Sequence, residues 1–209
     1  MRHTQGSERA KRLARGFPPF AGFADLEHPD FGALEPYCEP DEHLHCAGWS
    51  GAMPAGWRVD AEALALQFVW QGGAPAVDPA PEAIRLGVAH ADAMVALAAL
   101  TKPGPFGPRN IELGEYYGLF EGDRLVAMAG ERLGAARLRE VSAVCTHPQF
   151  QGRGLARRLM DKVMRLQMAR GETPFLHVMA ANERARGMYE RMGFRLRRGM
   201  VLRTVSRSP

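Results

Sequence analysis

Apolar positions in this chain recur at two spacings, and their alternation lays out an order of strands and helices. Over 64–70, Leu66, Phe68 and Trp70 fall on one face and Gln67 and Val69 on the other, which predicts a strand. A short strand is predicted over 83–88. Met94, Leu97 and Leu100 then take helical spacing over 90–100, with Asp92 in the first turn and a Pro-Gly-rich run from Thr101 to end the helix. Two strands over 116–120 and 125–131 flank Glu121-Gly122-Asp123 and read as a hairpin. A strand over 138–146 leads to a helix that ends near Arg170. Leu155, Leu159, Val163 and Leu166 lie on one face of it, and Gly171 stops it. A strand over 175–179, a helix over 184–192 capped by Asn182 and closed by Gly193, and a strand over 199–205 complete the pattern.

The first third is less regular. Residues 1–16 are polar and basic, with a disordered tip expected. Residues 17–57 are rich in Pro, Gly and aromatics, with a candidate strand over 44–49. The Pro-Gly-rich stretch 72–81 reads as a linker. The expected organisation is therefore an N-terminal extension of uncertain role over 1–80 and an αβ domain over 81–209.

Composition narrows the class of protein. At 209 residues, 46% apolar and 24% charged, the chain has the makeup of a globular protein able to bury a core. A formal charge of +4 is mildly basic, enough to favour an anionic ligand through a local patch. The Arg-rich segments at 9–15 and 195–198 are short and have no aromatic ladder, so nucleic-acid binding is not expected. The odd cysteine count, three, argues against a disulfide framework, and the spacing of Cys38, Cys46 and Cys145 fits no metal. His43, His45 and Cys46 read as a surface loop, so no metal is expected. No signal peptide and no run of about twenty apolar residues is seen, which gives the expectation of a cytoplasmic protein without membrane contact. A homodimer stays open.

The most informative stretch is Gln151-Gly152-Arg153-Gly154-Leu155-Ala156, between a predicted strand and a predicted helix. A Gly-rich turn at a helix start leaves backbone N–H groups without internal partners, and together with the helix dipole they attract phosphate. Arg153 and Arg157 add positive charge. An ATP loop is disfavoured, because Leu155 and Ala156 stand where Lys and Ser or Thr would follow the glycines.

This run, with Val144-Cys145-Thr146-His147-Pro148 before it, resembles the acyl-CoA signature of the GNAT superfamily of N-acyltransferases, Gln/Arg-x-x-Gly-x-Gly/Ala. Gln151, Gly154 and Ala156 take its defined positions. A second block, Asn182 to Phe194, is similar to the family's Asn-x-x-Ala-x-x-x-Tyr-Glu-x-x-Gly-Phe. The resemblance covers about residues 84–205. It implies an α/β fold of GNAT type: a mixed, splayed central sheet flanked by helices, here with an N-terminal extension. It implies acetyl-CoA as cosubstrate and an amine-bearing acceptor, with direct acetyl transfer and no covalent enzyme intermediate.

By the same resemblance, the backbone of Val144, Cys145 and Thr146 receives the pantetheine arm. Gln151, Gly152, Arg153, Gly154, Leu155, Ala156 and Arg157 hold the pyrophosphate, and Asn182 touches the cofactor or only caps its helix. Tyr189 takes the place of the family's general acid; the bland alternative is a core tyrosine. Two residues compete for the base. His177 lies on the strand before Asn182 and could equally be a buried structural histidine. Glu140, read as sharing a face with Ser142, Val144 and Thr146, could equally be a solvated edge carboxylate. A base carried by water is the third option. Cys145, mid-strand, is not expected to be a nucleophile. The acceptor site is expected in the loop over 100–112 and the strand over 195–205, with its amine unspecified. The competing reading is a catalytically silent acyl-CoA-binding module of the same fold.

Overall fold

The computed structural model describes residues 3–208. Eleven strands and three α-helices follow one another: β1 (Thr4–Gly6), β2 (Ala10–Leu13), β3 (Phe20–Phe23), β4 (Leu44–Ala47), β5 (Trp57–Trp70), β6 (Ile84–Leu86), α1 (Ala91–Thr101), β7 (Tyr116–Glu121), β8 (Arg124–Ala135), β9 (Leu138–Thr146), α2 (Leu155–Ala169), β10 (Thr173–Met179), α3 (Glu183–Met192) and β11 (Phe194–Arg207). The fold is mixed α/β. Among the described residues no helix is long and apolar enough to cross a membrane.

Two compact units are present, and β5, β10, α3 and β11 contribute residues to both. One comprises the residues up to Gln67, Val178–Met188 and the stretch from Arg197. Its strands run in the order β1-β2-β3-β4-β11-β5. β2 pairs antiparallel with β1 and with β3, β4 pairs antiparallel with β11, and β3 pairs parallel with β4. Its core gathers Phe31, Leu34, Leu44, Trp49, Trp57 and Val205. The polar and basic first sixteen residues carry β1 and β2, while residues 1 and 2, at the tip for which disorder was expected, lie outside the described residues. The reason is long-range: Ala10 and Leu13 are buried, and the buried Arg12 guanidinium is neutralised by a two-pronged pair to Glu42, thirty residues away.

The other unit spans Phe68–His177 and Tyr189–Leu196. Its strands run β10-β9-β8-β7-β6. The pairs are antiparallel except β9 with β10. Helix α1 packs on β8 and β9, and α2 packs on β7, β8 and β9. The α1 face of the sheet buries Met94, Leu97, Tyr116, Met128 and Cys145 together. Helix α2 is strongly amphipathic, burying Leu159, Met160, Val163 and Met164 while its other face carries charge. The Pro-Gly-rich stretch before β6 has no regular structure but is fastened to α2. Lys162 Nζ donates to Asp78 and to the Ala80 carbonyl, and Arg158 donates to the Pro79 carbonyl and Glu82.

Two irregularities interrupt the β8–β9 ladder. Ser142 lies opposite Gly130 and Cys145 opposite Met128, so β9 spends three residues where β8 spends two, a bulge at Ala143, whose φ is +52°. Opposed residues share a face, so Ser142 and Cys145 lie on one side of the sheet while Val144 and Thr146 lie on the other. The simple alternation expected for Glu140, Ser142, Val144 and Thr146 is thereby broken. A second irregularity gives β8 one extra residue between Glu131 and Gly134, beside Glu140.

At Gly130 the sheet leaves no space for a side chain, because an added Cβ would stand 2.3 Å from the Tyr116 ring. Tyr116 is fully buried and cannot swing away. Gly130→Ala is therefore expected to lower the unfolding free energy by about 1–3 kcal/mol through overpacking, measured by denaturant titration. An unchanged midpoint would mean that the ring has room to yield.

Candidate functional site

Strand β9 and helix α2 are joined by a short connection, and its conformation follows from its residues. Pro148 opens a single 3₁₀ turn, and Gln149 N–H donates to the His147 ring. Gly152 and Gly154 then take φ of +80° and +73°. This left-handed region costs a residue with a Cβ roughly 1–2 kcal/mol, so glycine is needed here for backbone freedom. An added Cβ would meet nothing within 4 Å at either position. Gly154 is the N-cap of α2, and no side chain caps that end. The first N–H groups of the helix are therefore left to an outside acceptor. Arg153 stacks on the Phe150 ring at 4.8 Å, and Arg157, in the first turn of α2, lies 3.7 Å from Asp161. Gln151 is exposed, and its amide reaches the Thr146 carbonyl at 3.4 Å.

Before this loop the sheet parts. The parallel ladder of β9 with β10 runs from Leu138↔Thr173 to Glu140↔Phe175, and no later rung joins the two strands among the described residues. On that side, the Val144–Thr146 backbone is not engaged by β10. The Thr146 hydroxyl is buried there without a hydrogen-bond partner, a cost normally removed by a bound group or water. The Cys145 thiol faces the other way, into the α1 core. Burial pushes it up to about 11, against a smaller opposing effect of Thr101, so it stays a protonated, inert thiol.

The last rung holds a buried polar cluster. Glu140 is wholly buried and accepts two hydrogen bonds from Arg132, at 2.9 and 2.7 Å. It also accepts one from the Leu133 N–H that the β8 irregularity frees, at 3.2 Å, and it meets His177 Nδ1 at 2.8 Å. Burial opposes ionisation of this carboxyl. The Arg132 charge and the hydrogen bonds of Arg132 and His177 override it and bring the group down to about 2. Tyr116 lies next to the cluster, its own ionisation pushed up to about 12 by burial and its hydroxyl receiving an N–H from Asn110 at 3.4 Å. Asn110 in turn accepts from Gly107 N–H at 3.0 Å and so ties down the Pro-Gly-Pro-Phe-Gly-Pro loop.

The two candidate bases are thus one assembly. Glu140 is not a solvated edge carboxylate, and His177, 23% exposed at its side chain, is the member that reaches solvent. Arg132 had no motif to point to it. Tyr189 is nearly buried beside Phe194, with its hydroxyl pushed up to about 12 by burial alone. Asn182 caps α3, its side chain accepting from Ala185 N–H at 3.1 Å.

Glu140 is held below the usual glutamate value near 4.5, so its contribution to stability is complete above that pH and is lost as pH falls towards about 2. Wild-type protein is expected to lose roughly 3 kcal/mol across that window through this group. Glu140→Gln should lack that portion of the decline and be about 3–5 kcal/mol less stable at neutral pH, with Arg132 left unmatched. Denaturant unfolding at stepped pH checks both; parallel pH profiles for the two proteins would refute the assignment.

Comparison with known proteins bears on the family and the fold. The family model described as FR47-like protein matches residues 116–202. N-alpha-acetyltransferase RimI of Mycobacterium tuberculosis (strain ATCC 25618 / H37Rv) is 38% identical over 82 residues, which are 38% of this chain and 51% of that protein. The chain thus spans about half the length of that relative. A GCN5-related N-acetyltransferase-like protein from Streptococcus suis 89/1591 shares the fold, with a TM-score of 0.62 at 15% identity over 96% of this chain and 84% of the other. A crystal structure of a GNAT family protein from Novosphingobium aromaticivorans DSM 12444 superposes with a TM-score of 0.88 at 37% identity, covering 99% of this chain and 92% of its own. Identity at that level, sustained along both chains and on one fold, means that this chain belongs to the GNAT superfamily of N-acetyltransferases.

Proposed function

We propose that the protein transfers the acetyl group of acetyl-CoA to a primary amine by direct attack within a ternary complex. The observation that carries this reading is the backbone of residues 151–157: two left-handed glycines and an uncapped helix start, flanked by Arg153 and Arg157. Such a turn suits a diphosphate. The residues fit the rest of the cosubstrate as well, since the β9 stretch of Val144, Cys145 and Thr146 is left unpaired by β10 and the Thr146 hydroxyl lacks a partner. Residues 81–209 are taken as the catalytic part and residues 1–80 as an extension.

In this reading, most of the rate comes from holding the amine against the thioester and stabilising charge as it develops. The amine nitrogen attacks the carbonyl carbon and its surplus proton passes to the His177 imidazole. The tetrahedral intermediate expels the thiolate, which takes a proton from the Tyr189 hydroxyl. Burial keeps that phenol protonated and also makes a thiolate released beside it more basic, which favours the transfer. Glu140 orients the imidazole through Nδ1 and is too firmly ionised to act as the base itself. The pinned loop over 102–110 is proposed to line the acceptor site. The similarity to an N-alpha-acetyltransferase makes peptide α-amino groups the first acceptors to try, beside amino acids, polyamines and aminated drugs.

Two outcomes test this reading. Calorimetry should detect CoA binding to wild-type protein and none, or at least tenfold weaker binding, to Gly154→Glu, in which a carboxylate occupies the phosphate position; equal heats would remove the basis of the assignment. Tyr189→Phe should lower kcat by roughly tenfold to a thousandfold with little change in CoA affinity, assayed as CoA release across the amine panel. A wild-type protein that binds CoA but releases none with any amine would instead be a catalytically silent acyl-CoA-binding module.

A further inference from the structure

The cluster beneath His177 contains more than a base needs. A carboxylate on Nδ1 is sufficient to fix the tautomer of an imidazole. Left to itself, however, a buried negative charge 2.8 Å away would also hold a proton on the ring. That would fill the base before the substrate arrives. Arg132 is placed to prevent this. Its side chain is only 11% exposed and its guanidinium grips both Glu140 oxygens, while Leu133 N–H adds a third donor. The carboxylate reaches His177 already matched by a full positive charge.

We propose that Arg132 is a positioning residue that neutralises Glu140, so that Glu140 orients His177 without protonating it and leaves the imidazole able to accept the proton of the acceptor amine. This rests on the reading of His177 as base. The charged and titratable groups that bear on the pair include His177 from β10, Arg132 from β8 and Tyr116 from β7, with Glu131 acting on Tyr116. Tyr116 is buried and protonated, so it adds no charge. Glu131 is engaged elsewhere, by Arg170 and by Glu115 N–H. Arg132 is therefore the positive charge that decides the field at Glu140, and the β8 irregularity, which supplies the Leu133 N–H, is the backbone feature that holds it there.

The sign of the effect is specific. Removing the guanidinium charge leaves the carboxylate matched by the imidazole alone, so His177 should hold its proton to higher pH. In Arg132→Gln, the NMR titration of the His177 ring is expected to move up by about one pH unit. The acidic limb of kcat/KM should move with it, a loss of about tenfold at pH values on that limb. Arg132→Lys, which keeps the charge but not the fork, should restore most of the wild-type profile. Should Arg132→Gln fail to fold with Glu140 unmatched, the double variant Arg132→Gln/Glu140→Gln removes both charges together and should titrate close to wild type, because the native pair is also neutral. An unmoved or downward-shifted His177 titration in Arg132→Gln, or a double variant that titrates far from wild type, overturns the inference. A titration that moves while the kcat/KM limb stays fixed confirms the charge-matching and refutes His177 as the base, which separates the failure of one idea from that of the other.

Discussion

A carboxylate removed from water must be met by donors and by charge, and Glu140 is met on three sides at the last rung that joins β9 to β10. Several features of the site converge on this residue. Arg132 and the irregular segment of β8 exist there as its partners, and His177 is held against it. Beyond it no rung joins β9 to β10 among the described residues. An ion pair buried this deeply adds little net stability compared with apolar packing, but it tolerates only one arrangement of its members. Its value here lies in fixing where β8, β9 and β10 stand relative to one another at the point where the sheet opens.

From that point the proposed binding surface is made of backbone. The bulge at Ala143 turns Cys145 into the α1 core and Val144 and Thr146 to the opposite face, which settles the strand before it gives way to the loop. The loop then spends its two glycines on left-handed geometry and delivers α2 with its first amides uncapped. On the far side, α2 is fastened by Asp78, Ala80 and Pro79 through Lys162 and Arg158, so the stretch that reads as a linker serves as a strap over the proposed cofactor helix. In the proposed anion site these backbone conformations supply the donors, and Arg153 and Arg157 add charge beside them.

The family's chemistry and this chain's chemistry need not use the same atoms. Tyr189 and Asn182 stand in the second signature block, and the structure gives each a physical role compatible with the proposed one: a desolvated phenol and a helix cap. The pair of candidate bases is where this protein departs from a simple carry-over of roles. Two residues that compete in the sequence turn out to be bonded to each other. Charge separates the two: the guanidinium-gripped Glu140, held ionised, is the weaker proton acceptor, and the partly exposed His177 is the proposed base.

Local signals determine much of this architecture. The strand over 138–146, the hairpin around Gly122, the amphipathic face of α2, the stop at Gly171 and the cap at Asn182 depend on periodicity and on residues within a few positions of one another, and each forms where the sequence places it. The glycine loop before α2 was legible for the same reason, since its glycines and its helix are contiguous. What the sequence could not settle depends on partners far along the chain. In β2, Ala10 and Leu13 are buried and Arg12 pairs with Glu42, far along the chain. The alternation of β9 fails because β8 shifts register against it. Arg132, Glu140 and His177 become one unit only when three strands are side by side, because burial and the sign of a neighbouring charge belong to the packed chain and leave no mark on the order of residues.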